Sequence, residues 1–189
     1  MSKHKVKSMN TISSYFILLF TLLFLSACSS VDIKQYENNQ PKLILDQFFN
    51  GDLTAHGILK NRNGEVTRYF NVTMTGTWDE NGVGTLAEKF IFDDNSIEYR
   101  TWVFTPIQTD SGIQYLAKAN DTLSETMIDL SGNAFFMNYD LLINYKGDDL
   151  EVNIDDKMYL VSDKVIINES IMTKYGIEVG YITLTIIKL

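Results

Sequence analysis

The sequence predicts an all-β domain, a single antiparallel up-and-down β-barrel of about eight to ten strands with a short N-terminal helix. Three observations carry this expectation. Beyond residue 51 apolar and polar residues alternate with period two, which lays one oily face along each segment. Clusters of Gly, Asn, Asp and Ser interrupt that alternation at short intervals, as turns between paired strands do. A sheet of that many strands closes into a barrel or folds into a sandwich, and closure removes both exposed edges.

The elements follow in order. Pro41 at a first-turn position leads into Leu43, Ile44 and Phe48, spaced as one helical face requires, and Gly51 stops the helix. Asp52 to Lys60 reads as the first strand, ended by the hairpin pair Asn63-Gly64. Glu65 to Thr75 follows, with Val66, Phe70, Val72 and Met74 on one face. Asn81-Gly82 turns the chain into Gly84 to Phe92, and Asp93-Asp94-Asn95-Ser96 turns it into Ile97 to Gln108. After Thr109-Asp110-Ser111-Gly112 comes Ile113 to Ala119, and the stretch from Asp121 to Asn133 has no decisive pattern. Alternation is cleanest next, where Phe135, Met137, Tyr139, Leu141, Ile143 and Tyr145 share a face opposite Asn138, Asp140 and Asn144. Lys146-Gly147-Asp148-Asp149 turns into Leu150, Val152 and Ile154. Met158 to Val161 and Lys164 to Asn168 read as short strands, and Gly176 to Lys188 as a long closing one.

The length, the helical prelude and the meander are those of a lipocalin-like barrel. Phe48-Phe49-Asn50-Gly51 and Gly76-Thr77-Trp78 resemble parts of the lipocalin opening pattern, although the second lies on the wrong strand for it.

Ahead of the barrel the chain has the three zones of a secretory leader. Lys3, His4, Lys5 and Lys7 make a basic start, Tyr15 to Leu25 is an apolar run of eleven residues broken by Thr21, and Ser26 and Ala27 are small. The run is too short to cross a bilayer, which takes about 20 apolar residues. Leu25-Ser26-Ala27-Cys28 resembles the lipobox of bacterial lipoproteins. That resemblance implies cleavage between Ala27 and Cys28, a diacylglycerol on the Cys28 thiol and an acyl chain such as palmitate on the new amino group. Two or more such chains hold a protein stably to a membrane, whereas one binds marginally. The alternatives are an ordinary signal peptide with a chance cysteine, or an uncleaved short anchor. Ser29, in place of an aspartate, implies sorting to the outer membrane with the domain facing the periplasm. The expected organisation is a lipoprotein signal peptide over residues 1–27, a lipidated polar tether over 28–40 and the barrel domain over 41–189.

Cleavage would leave 162 of the 189 residues, enough for one domain with a real core. With three of the 16 basic residues in the leader and all 24 acidic ones after it, the mature net charge is −11. Nucleic acid is therefore not an expected partner, because its binding needs a basic footprint. A solvated acidic surface is the simple reading of that charge. Cys28 is the only cysteine, so no disulfide forms within the chain.

More specific strings lie further on. Gly84-Thr85-Leu86-Ala87-Glu88-Lys89-Phe90, Asp93-Asp94 and Arg100-Thr101-Trp102 form one block. Gly132-Asn133-Ala134-Phe135, Asp155-Asp156-Lys157-Met158-Tyr159-Leu160, Ile167-Asn168-Glu169-Ser170 and Met172-Thr173-Lys174-Tyr175-Gly176 form the rest. In this order they resemble the Gram-negative lipoproteins grouped as domain-of-unknown-function family 3833, over residues 45 to 188. Lys157, where that family commonly has tryptophan, and Asn95, where it has glycine, are departures. The resemblance implies an outer-membrane lipoprotein with a lipocalin-like barrel, and a gene neighbourhood of fatty-acyl-modifying enzymes.

The mature chain has one histidine, His56, and no free thiol, so no metal site and no cofactor are expected. A Ser-His-Asp arrangement has only His56 to draw on, and no Gly-x-Ser-x-Gly elbow is present; no catalytic residue is assigned. Asp148-Asp149 and Asp155-Asp156 lack a calcium-loop pattern and read as turn and strand-end charges. Glu88 and Arg100 flank the turn at Asp93 to Ser96. A three-residue loop there places them opposite each other on one face, and a two-residue loop puts them on opposite faces. On the inner face they would be either a structural brace or a polar anchor for a ligand headgroup. Phe70, Phe90, Phe92, Trp102, Phe135 and Tyr139 would line a cavity or fill the core. The candidate ligand-binding set is Glu88, Arg100, Trp102, Phe90 and Tyr139, with a fatty-acyl or other apolar molecule as the expected partner. A filled structural barrel with a surface partner site and an acyl-lipid enzyme are the competing expectations.

Overall fold

The computed structural model describes residues 31–189 apart from Ser111 and Lys146; the leader, the cleavage point and Cys28 lie outside the described residues. Ten antiparallel strands close into one barrel: β1 (Gly51–Asn61), β2 (Val66–Trp78), β3 (Gly84–Phe92), β4 (Ile97–Thr109), β5 (Gly112–Ala119), β6 (Thr126–Ser131), β7 (Ala134–Tyr145), β8 (Asp148–Ser162), β9 (Val165–Lys174) and β10 (Ile177–Lys188). Each strand pairs with its sequence neighbours. β10 returns to β1, with Leu53 opposite Lys188 and Asn61 opposite Gly180, so the sheet has no free edge.

Three local expectations are corrected. The helix is a single turn, α1 (Leu45–Phe48), and Pro41 stands in a bend ahead of it. Leu43, Leu45, Phe48 and Phe49 are all buried, so packing into the barrel end overrides continuation of a helical face. Order also begins within the stretch read as tether: Ile33–Tyr36 forms a 3-10 turn whose Tyr36 ring lies 5.8 Å from Phe136 and 5.3 Å from Tyr159. The strand pieces around Asp155-Asp156 join into one 15-residue strand, β8, and β9 runs on to Lys174. The acidic pair does not break β8 because its two members face opposite sides of the sheet. Asp155 meets Lys157 outside at 2.6 Å, and Asp156 points inward.

Period-two alternation fills the interior. Leu53 and Ala55 of β1, Val72 and Met74 of β2, Met137 and Leu141 of β7 and Val152 and Ile154 of β8 all face the core. One end of the barrel is plugged by α1 and the residues after it. Phe49 packs 6.3 Å from Phe104 and 6.5 Å from Phe135, centroid to centroid. Its carbonyl accepts a hydrogen bond from Trp78 Nε1 at 3.0 Å, and Lys188 Nζ donates to the Phe48 carbonyl at 3.0 Å. Gly76 permits this approach, since a Cβ there would lie 1.9 Å from the Phe49 oxygen. Toward the other end, the inward side chains Phe90, Phe92, Met172, Ile182 and Leu184 are only half-buried.

Candidate functional site

The turn between β3 and β4 sets the site. Asp93-Asp94-Asn95 is a three-residue loop: the Phe92 N–H donates to the Ser96 carbonyl at 3.0 Å, and Asn95 takes φ 63°. Asn is one of the few residues other than glycine that accepts that conformation readily. The resulting register puts Glu88 opposite Arg100 and Leu86 opposite Trp102. Glu88, Phe90, Arg100 and Trp102 all reach the interior, and Tyr139 of β7 joins them. The five residues singled out from the sequence therefore line one cavity, of about 100 Å³.

Aromatic rings share its wall with aliphatic side chains such as Val72, Met74 and Ile186. Trp102 stacks on Phe104 with the planes 3° apart and meets Tyr139 edge-on at 5.1 Å. Phe49, Phe70 and Phe135 add further rings from the plug, β2 and β7. Phe92 is not part of it, and instead sits beneath the Arg68 guanidinium, 3.5 Å from the ring centre.

The ion pair differs from the one the register implied. Arg100 is held by Asp121, from the loop after β5: Nε donates to Oδ1 at 3.1 Å and Oδ2 at 2.9 Å, and Nη2 lies 2.8 Å from Oδ2. A loop carboxylate can turn to match the guanidinium fork, which a strand neighbour held in register cannot do as freely. Glu88 is left beside the pair. Its Oε2 is buried and has no hydrogen-bond partner. Burial pushes its carboxyl from the ordinary 4.5 up to about 7; Arg100 opposes the rise, while Asp121 and Asp156 add to it.

A second acid, which sequence reasoning assigned to a strand end, faces the same cavity. Asp156 is buried and accepts from Asn168 Nδ2 and, at 2.8 Å, from Ser170 Oγ. Burial raises its carboxyl above the usual range, with those two donors and Arg100 working against the rise. Burial likewise holds the Tyr139 hydroxyl well above its ordinary value, with Asp156 next in effect. The signal for Asp156 was present in the sequence: Ile154, Asp156, Met158 and Leu160 share one parity, and both ends of that row are buried. His56 is exposed on the outer face, its Nδ1 2.6 Å from Asn71 Oδ1, and cannot serve chemistry inside the barrel. A larger depression of about 430 Å³ lies on the outer face around Thr101, Leu116 and Lys118, but its polar side chains are solvated.

The fold and this interior define a lipocalin-like barrel with a small, polar-tipped cavity. Comparison with known proteins agrees on the class. The chain belongs to the family described as "Protein of unknown function (DUF3833)", whose model matches residues 22–188. No curated protein matches the sequence. Among solved structures, the S-type phycobiliprotein lyase CPES from Guillardia theta is similar in fold, with a TM-score of 0.53 at 12% identity, covering 84% of this chain and 98% of that one. A protein of unknown function from the DUF3598 family of Nostoc punctiforme is similar to the same degree, with a TM-score of 0.53 at 13% identity. That match covers 80% of this chain, which spans about half (51%) of the Nostoc chain.

Proposed function

We propose that the protein is a lipoprotein, anchored through Cys28 to the periplasmic face of the outer membrane, whose barrel holds one small, largely apolar molecule. The observation that carries this reading is the buried, unpartnered Oε2 of Glu88 in a cavity walled by aromatic and aliphatic side chains. A purely structural core gains nothing from such a group, because an unsatisfied buried polar atom costs about 1–3 kcal/mol. A bound molecule that donates to it removes that cost. The phycobiliprotein lyase of similar fold supports a small-molecule role in kind, and the resemblance of Leu25-Ser26-Ala27-Cys28 to a lipobox supports the anchor.

Size bounds the molecule. The cavity of about 100 Å³ falls below the roughly 300–1,000 Å³ of ordinary ligand pockets and nearer the ~150 Å³ that admits benzene. One head or one ring fits between Glu88 and Trp102. A longer apolar body extends past the half-buried Phe90, Ile182 and Leu184. Calorimetric titration with 1-octanol tests this, since it offers a hydroxyl donor and a short chain without charge. One saturable site per chain is expected, with a change in Trp102 fluorescence; titration without saturation would remove the binding reading.

A further inference from the structure

The interior is charged in a way that selects the ligand's head. Glu88 and Asp156 both line the cavity, from β3 and β8, and the one cation among them, Arg100 of β4, is already matched by Asp121. The remaining groups at the cavity, Tyr139 of β7, Asn168 and Ser170 of β9, are uncharged polar side chains, and Met74 beside Glu88 on β2 is apolar. Asn168 and Ser170 are committed to Asp156. Two carboxyls against one cation already paired with a third leave the lining short of positive charge at the place where a ligand head would rest. A ligand carboxylate there meets two acids and a neutralised arginine. An ammonium meets the opposite: its three N–H donors find the vacant Glu88 oxygen and the neighbouring acceptors.

We infer that the cavity is built for an apolar molecule bearing a single amine, held as the ammonium by Glu88 with Asp156 nearby, and that it rejects free fatty acids. The inference rests on the binding reading above and refines its ligand. Loss of a proton from Glu88 on binding fits a carboxyl that titrates near neutrality, where a cation recruits the charged form at little cost.

The test compares 1-octanol, octylammonium and octanoate by calorimetry on the same protein at pH 8. About 0.3 M salt is added so that the acidic surface does not gather the amine nonspecifically. Octylammonium is expected to bind at least tenfold more tightly than octanol, at one per chain, and octanoate more weakly than either. Glu88→Gln is expected to abolish the amine preference, so that octylammonium binds the variant no more tightly than octanol does. Carbon-13 NMR of the Glu88 carboxyl provides a check that needs no variant: octylammonium should lower its midpoint. Octanoate binding as well as or better than the amine, or an amine preference that survives Glu88→Gln, overturns the inference and leaves the binding reading standing. Failure of octanol and the amine alike overturns both.

Discussion

Glu88→Gln should make the protein more stable above neutral pH and leave it unchanged in acid. The folded chain holds the Glu88 proton more tightly than the unfolded one, with a midpoint of about 7 against 4.5. Between those values the folded state carries the extra proton, so stability falls as pH rises through the window. Well below 4.5 both states are protonated and the difference in proton affinity no longer affects stability. Above about 7 the folded chain bears the full cost of an ionised carboxylate in the cavity. At about 1.4 kcal/mol for each tenfold change in proton affinity, that cost is about 3 kcal/mol. For a chain of this size it corresponds to about 6–12 °C in Tm. Thermal unfolding followed by circular dichroism, for both proteins from pH 4 to pH 8, reads the difference directly. The variant should gain on the parent from pH 5 upward and level off near pH 8. Parallel curves across the whole range would refute the assignment of Glu88 as the buried, proton-holding acid.

Three further perturbations probe the frame around it. Asp121→Asn strands the Arg100 guanidinium; with the two side chains 21% and 26% exposed, the loss is about 2 kcal/mol rather than the ~3–5 of a fully buried pair, measured by urea unfolding. Gly76→Ala drives a Cβ into the Phe49 carbonyl, so it should dislodge the plug, cost about 1–3 kcal/mol and increase iodide quenching of Trp78. His56→Ala, on the solvated outer face, should change stability by less than about 0.5 kcal/mol and leave octanol affinity alone.

Much of the barrel was legible because period-two alternation survives almost everywhere from β1 to β10. The β3–β4 register was legible too, once the loop was three residues long, since parity then fixed which side chains faced inward. Stretches without a decisive pattern failed for physical reasons. β6 spans only Thr126–Ser131, and the chain before it is held to β7 by the single bridge of Thr122 to Leu141, so no run of alternation marks it. Asp121 reaches Arg100 from just past the end of β5, where the β4–β5 register carried on past Trp102 and Ala119 sets the two opposite each other, but the sequence there has no decisive pattern to show it. Asp156 was hidden by its neighbour: Asp155-Asp156 resembles a surface pair, and only the rows of side chains on either face tell the two apart. The plug was hidden by packing, since Phe48 and Phe49 serve the barrel end more than their own helix.

The central claim is that the barrel interior is a binding site rather than a filled core. Native mass spectrometry of the full chain, purified from membranes in mild detergent, tests it most directly, paired with analysis of the small molecules released on denaturation. The account predicts a stoichiometric adduct of one per chain, displaced by excess octylammonium and weakened by Glu88→Gln. A single bare mass, with no small molecule released in proportion to protein, would contradict it.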